Sequence, residues 1–185
     1  MLVSLEFAAW IVDGIDAAGG PADPRPQSER FAEHERKVMS RTNGWRAADG
    51  SLNIPWPHAV GTPPWGAAKE MQHGAAARGA DYEMRVVGLR SGKALRAVQA
   101  DLVGLVRDGL PALLYIGSTW MPRHVTLVLP GEEPAGEARD AGGALNVYDP
   151  ATGSVTELDP DRFASRTLGI AGWNVPWITV QPRRT

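Results

Sequence analysis

The chain has 185 residues, 43% hydrophobic and 22% charged, the size and composition of one ordinary globular domain with a core of its own. Lys and Arg number 19 against 21 Asp and Glu, a net charge of -2; nucleic acid is a poor default partner without a basic excess. No apolar run approaches the roughly 20 residues of a membrane span, and the absence of cysteine excludes disulfides, Cys-ligated zinc, iron–sulfur clusters and a cysteine nucleophile within this chain.

Residues 1–12 read MLVSLEFAAWIV. They lack a basic leader and Glu6 interrupts the apolar run, so a signal peptide is not expected and a cytoplasmic location is. The segment reads as a helix apolar on nearly every side, hence a buried one, ending at Gly14 or at Gly19-Gly20. Nothing before Met1 can cap it, although a buried helix needs partners for its first N–H groups. Either its start frays, or the domain once had more sequence before it.

Residues 17–28 are rich in Gly and Pro and read as a loop. Ser28 then caps a helix to about Ser40. Residues 41–61 read as a long irregular segment, which Trp45 and Trp56 are expected to pin to the body. Thr62-Pro63-Pro64 opens a helix to about Arg78, stopped by Gly79. From Tyr82, YEMRVVGL reads as a strand. Ser91 caps a helix through about Arg107, with Leu95, Val98, Leu102 and Leu105 or Val106 at helical spacing.

PALLYIG and RHVTLVLP follow as short apolar strands, then a charged Gly-rich loop over 131–142. ALNVYDP and SVTELDP flank Ala151-Thr152-Gly153 as a hairpin. Pro160 to Ser165 reads as one helical turn, and NVPWITVQP as a last strand. With no repeat and no linker, helices first and antiparallel strands later predict one α+β domain over residues 1–185, N-terminal helices packed on a C-terminal antiparallel sheet.

Two residues stand where chemistry is done. His124 opens a strand, and Asp149 closes a later one before a Pro-initiated turn. Such a pair can meet across a sheet, where the carboxylate orients the imidazole and fixes its tautomer, the supporting half of a nucleophile–His–acid triad. The plainer alternative makes His124 a half-buried strand residue and Asp149 the start of an Asx turn before Pro150. His34 reads as a solvated helix residue, His58 lies in a Pro-rich loop, and His73 sits near a helix end. Four scattered His with no HExxH spacing predict no metal site, and GTPPWG at 61–66 lacks the Lys and Gly pattern of a phosphate loop. No cofactor is expected. Trp173 and Trp177 read as core packing.

The order of these elements resembles the papain-like cysteine peptidase fold, in its bacterial C39-like branch. Three segments carry the resemblance: Gly109-Leu110-Pro111 before ALLYIG, Pro122-Arg123-His124-Val125, and Tyr148-Asp149-Pro150-Ala151-Thr152-Gly153. It covers about residues 109–160; residues 1–14 match by character alone. The resemblance implies His124 as general base or imidazolium partner and Asp149 as its orienter. It also implies a thiolate at the N-terminus of the buried first helix, stabilised there by the helix dipole and by His⁺.

The chain departs from that pattern at the nucleophile, because it has no Cys, and the Gln that helps the family's oxyanion hole has no counterpart. Two readings follow. The chain is a truncated or mis-started cysteine peptidase or amidase, with Gln and Cys encoded in frame before Met1. Or it is a pseudoenzyme, inactive as given, that keeps the cleft as a non-catalytic peptide- or protein-binding module. Ser4 is a turn too deep to replace the thiol, and Ser118 or Thr119 would need a new geometry. A third possibility is a small α+β partner-binding domain in which His124 and Asp149 do not touch. Oligomeric state is not legible. The separation of His124 from Asp149 discriminates the third reading from the first two.

Overall fold

The computed structural model describes residues 24–26, 29, 36, 38–47, 49–57, 61–73, 80–107, 110–129 and 144–183. The expected helix over 1–14, the caps at Ser28 and Gly79, the loop over 131–142, and Ser4, His34 and His58 lie outside them. The chain divides into two compact units, Met1–Tyr82 and Glu83–Thr185.

In the first unit, helix continues through 43, three residues beyond the expected stop at Ser40. Gly44 ends it: its N–H donates to the Ser40 carbonyl at 3.1 Å, and a Cβ there would stand 2.4 Å from that oxygen. Helix α1 spans Pro64–His73, starting where the Thr-Pro-Pro signal places it. Among the described residues of this unit, polar side chains are buried as well as Val38, Ala67 and Met71. Thr42, Asn43, Asn53 and Glu70 are all buried, so each needs partners. The Asn43 amide donates to the carbonyls of Gly61 at 2.7 Å and Trp56 at 3.4 Å. The Asn53 amide donates to that of Thr42 at 2.8 Å. Arg41 meets Glu70 through two guanidinium nitrogens. These bonds, with an antiparallel bridge between Arg46 and Leu52, hold the segment expected to be irregular.

The anchoring assigned to tryptophan is half right. Trp56 meets Trp65 edge-on, with ring centroids 5.2 Å apart. Trp45 is instead 71% exposed, and the buried Asn43 and Asn53 amides hold this loop.

The second unit is built on a six-stranded sheet: β1 (Tyr82–Val86, whose first residue marks the boundary between the units), β2 (Ala112–Gly117), β3 (Pro122–Val128), β4 (Leu145–Asp149), β5 (Ser154–Leu158) and β6 (Val175–Pro182). The order across the sheet is β1-β6-β2-β3-β4-β5. The β2–β3, β3–β4, β4–β5 and β2–β6 pairs are antiparallel, so the fold is α+β as expected. Helices α2 (Lys93–Arg107) and α3 (Pro160–Ser165) interrupt the strands. Within this unit, helices α2 and α3 lie between strands in the chain and α2 packs against the sheet through the core cluster. Both lie where the sequence pattern places a helix, at 91–107 and at 160–165.

Periodicity explains the packing. Leu95, Val98, Leu102 and Val106 form the buried stripe of α2, as their spacing predicts. They meet Ala112, Leu114 and Ile116 of β2, Val128 of β3, Leu145 and Val147 of β4, Leu158 of β5, and Phe163 of α3 in one cluster. All six β2 residues are buried, which explains why PALLYIG reads as a continuous apolar run rather than an alternating one. Asp159 caps α3 by accepting from the Arg162 N–H at 2.8 Å. Trp173 packs partly buried against the cluster.

Candidate functional site

Strand register brings the two sequence-selected residues together. Ile116 pairs with His124, and Ile116 belongs to the core cluster, so His124 stands on the same face of the sheet. On β4, Val147 is also in that cluster, and side chains alternate along a strand, so Asp149 shares the face. Leu127 pairs with Tyr148; one step on, Asp149 comes opposite Thr126, diagonal to His124. Both residues thus lie at one end of the core, where β3 begins and β4 stops.

The His124 Nε2 and Asp149 Oδ1 atoms are 2.6 Å apart. The Asp149 side chain is 3% exposed and that of His124 18%. The carboxylate has further donors. The Ala151 N–H gives to Oδ1 at 2.9 Å and the Thr152 hydroxyl gives to Oδ2 at 3.0 Å. The Asp149 carbonyl accepts from the Gly153 N–H at 2.8 Å, with Gly153 at φ 70°. The five residues from Asp149 to Gly153 therefore fold around one carboxylate. Its burial opposes ionisation, but the bonds from Ala151, His124 and Thr152 outweigh it and leave Asp149 below its ordinary value of 3.8.

An ionised carboxylate only accepts, so Nε2 carries the proton and donates it to Oδ1. In the neutral imidazole Nδ1 is then the acceptor, and no hydrogen bond among the described residues occupies it. Both alternatives weighed from sequence are therefore realised together: Asp149 makes the Asx turn and also holds the imidazole. Thr152 was the member that sequence reasoning passed over. Its signal was present in the run Asp-Pro-Ala-Thr-Gly, where a hydroxyl three residues after an Asx-turn Asp can close back on it.

The β2–β3 turn beside His124 is tightly built. Gly117 admits no side chain, since a Cβ would stand 2.2 Å from the Met121 carbonyl oxygen. The Ser118 N–H donates to that oxygen at 3.1 Å, and the Ser118 carbonyl accepts from the Trp177 indole at 2.7 Å. The Ser118 hydroxyl accepts from the Trp120 N–H at 3.2 Å, so it is committed to its own turn and not to His124. Trp120, at the tip, is 88% exposed. His73 is exposed at the end of α1. Among the described residues no group of three or more His, Asp or Glu could hold a metal ion, and no helix is long and apolar enough to cross a membrane.

Fold and site together define an α+β sheet unit with a buried carboxylate hydrogen-bonded to a histidine across two strand ends. No protein-family model matches the chain, and no curated protein matches it. Among solved structures, the chain is similar to the peptidase domain of Streptococcus ComA, described as a bi-functional ABC transporter involved in a quorum-sensing pathway. The identity is 16%, the match covers 83% of this chain and 86% of that one, and the TM-score is 0.34. A likeness of that size assigns no activity to this chain.

Proposed function

We propose that the chain is a papain-like cysteine peptidase or amidase homologue of the C39-like kind, which keeps the base and its orienter, His124 and Asp149, and carries no thiol of its own. What supports this most is the 2.6 Å contact of Nε2 with a buried, ionised carboxylate, which leaves Nδ1 free to face a reacting group. That is the division of labour a nucleophile–His–acid site requires. Because the chain contains no Cys, it does not by itself hydrolyse amides by thiol chemistry. A second reading, a non-catalytic module that binds a peptide or protein over His124, rests on that same absence.

The test has two parts. The purified chain is incubated with fluorogenic peptide, isopeptide and side-chain amide substrates, with and without iodoacetamide. No turnover sensitive to the alkylating agent is expected. Peptide mixtures are then screened for shifts of the His124 ring signals in NMR spectra. Binding that perturbs His124 in the wild type and disappears in His124→Ala supports the reading. Peptide binding that leaves His124 untouched, or a His124 ring without a fixed tautomer, overturns it.

A further inference from the structure

The orienting half of the site does not end at Asp149. The Thr152 hydroxyl gives its proton to Asp149 Oδ2 at 3.0 Å. The Thr152 hydroxyl oxygen itself lies 2.6 Å from the Ser154 hydroxyl and accepts from the Ser154 N–H at 3.4 Å. A hydroxyl has one proton to donate. An ionised carboxylate only accepts, so the Thr152 proton goes to Oδ2 and the Ser154 hydroxyl is left as the donor to Thr152. Asp149 is thus held at three points: Ala151 N–H and His124 on Oδ1, Thr152 on Oδ2. If Oδ2 were released, the carboxylate could rotate about its last torsion, which is broad and soft, and Oδ1 would lose its aim at the imidazole.

We propose that Thr152, set by Ser154, is the positioning residue of the site: it locks the Asp149 carboxylate so that Oδ1 alone faces His124 and Nδ1 is kept as the reactive nitrogen. This rests on the reading of His124 and Asp149 given above and adds to it the group that fixes their geometry. The β-branch of Thr152 restricts its χ1, so the hydroxyl is aimed with little freedom to lose. Two hydroxyls in series also polarise one another, which strengthens the last bond of the chain.

The experiment compares wild type, Thr152→Val and Thr152→Ser by NMR. The Asp149 carboxyl ¹³C signal is followed with pH, and the two His124 ring ¹⁵N shifts are read at neutral pH. In Thr152→Val, the proton affinity of Asp149 is expected to rise about 3- to 10-fold, the loss of one hydrogen bond to the charged form. The separation between the two ring ¹⁵N shifts should narrow as the tautomer is released. Thr152→Ser should restore both. A thermal midpoint that falls in Thr152→Val while both signals stay as in wild type would make Thr152 a turn residue only and overturn the inference. A wild-type ring with no fixed tautomer would instead overturn the His124–Asp149 reading itself, and the inference with it.

Discussion

Ala171 and Gly172 carry φ angles of 50° and 79°, the only two residues between a reciprocal pair of bonds that joins Ile170 to Trp173 at 3.1 and 2.8 Å. Two left-handed residues in succession suit the tight turn that connects antiparallel chain. An L-residue with a Cβ is strained there, whereas glycine is not. Ala171→Gly is therefore expected to stabilise the protein by about 0.5–1 kcal/mol, the relieved strain exceeding the added freedom of the unfolded chain. Urea unfolding of the two proteins reads the difference directly, and equal midpoints would show that the position is relaxed. His124 and Asp149 were legible at this scale as residue types placed at strand ends. Their contact was not, because sequence spacing carries no strand register.

At the scale of elements, strands and helices were read well wherever a periodic pattern was long. Helix α2 and strand β2 lie where LxxVxxxL and an unbroken apolar run place them. Boundaries set by single backbone groups were missed. The helix that ends at 43 outlasts its expected stop because Gly44, not Ser40, closes it. The loop after it is held by Asn43 and Asn53 amides, and nothing in a polar residue's identity announces that it will be buried. The β2–β3 turn tests how closely an element controls the site. Gly117→Ala sets a methyl against the Met121 carbonyl and the Pro122 Cα, which is 2.7 Å from the ideal Cβ position. Relieving that overlap moves backbone two residues before His124. A loss of about 1–3 kcal/mol is expected, with weaker coupling of His124 to Asp149 in the ring ¹⁵N shifts. An unchanged His124 spectrum would show that the turn and the pair are independent.

For the whole molecule, the buried carboxylate makes stability depend on pH with a definite sign. The folded value of Asp149 lies below its ordinary 3.8. Its contribution is therefore complete above that ordinary value and is lost as the pH falls through the lower, folded one. Asp149→Asn should be less stable than wild type at neutral pH, and the gap should narrow below about pH 4. Asp149→Ala, which leaves the Ala151 N–H, the Thr152 hydroxyl and the imidazole without their acceptor, should cost about 1–3 kcal/mol at neutral pH. Denaturant curves at several pH values measure both. A gap that stays constant into acid would mean that Asp149 is not ionised in the native state.

Some of this was decided by the chain alone. The absence of cysteine excludes thiol chemistry by these residues, whatever the fold. Local patterns of period two and near 3.6 set which segments become strand or helix, because those patterns are properties of neighbouring residues. What only the tertiary structure decided is how distant segments meet. It inserted β6 between β1 and β2. It also set the register that brings the end of β4 to the start of β3. His124 and Asp149 are 25 residues apart, and the forces that join them are hydrogen bonds across a sheet whose alignment is settled by the buried face as a whole.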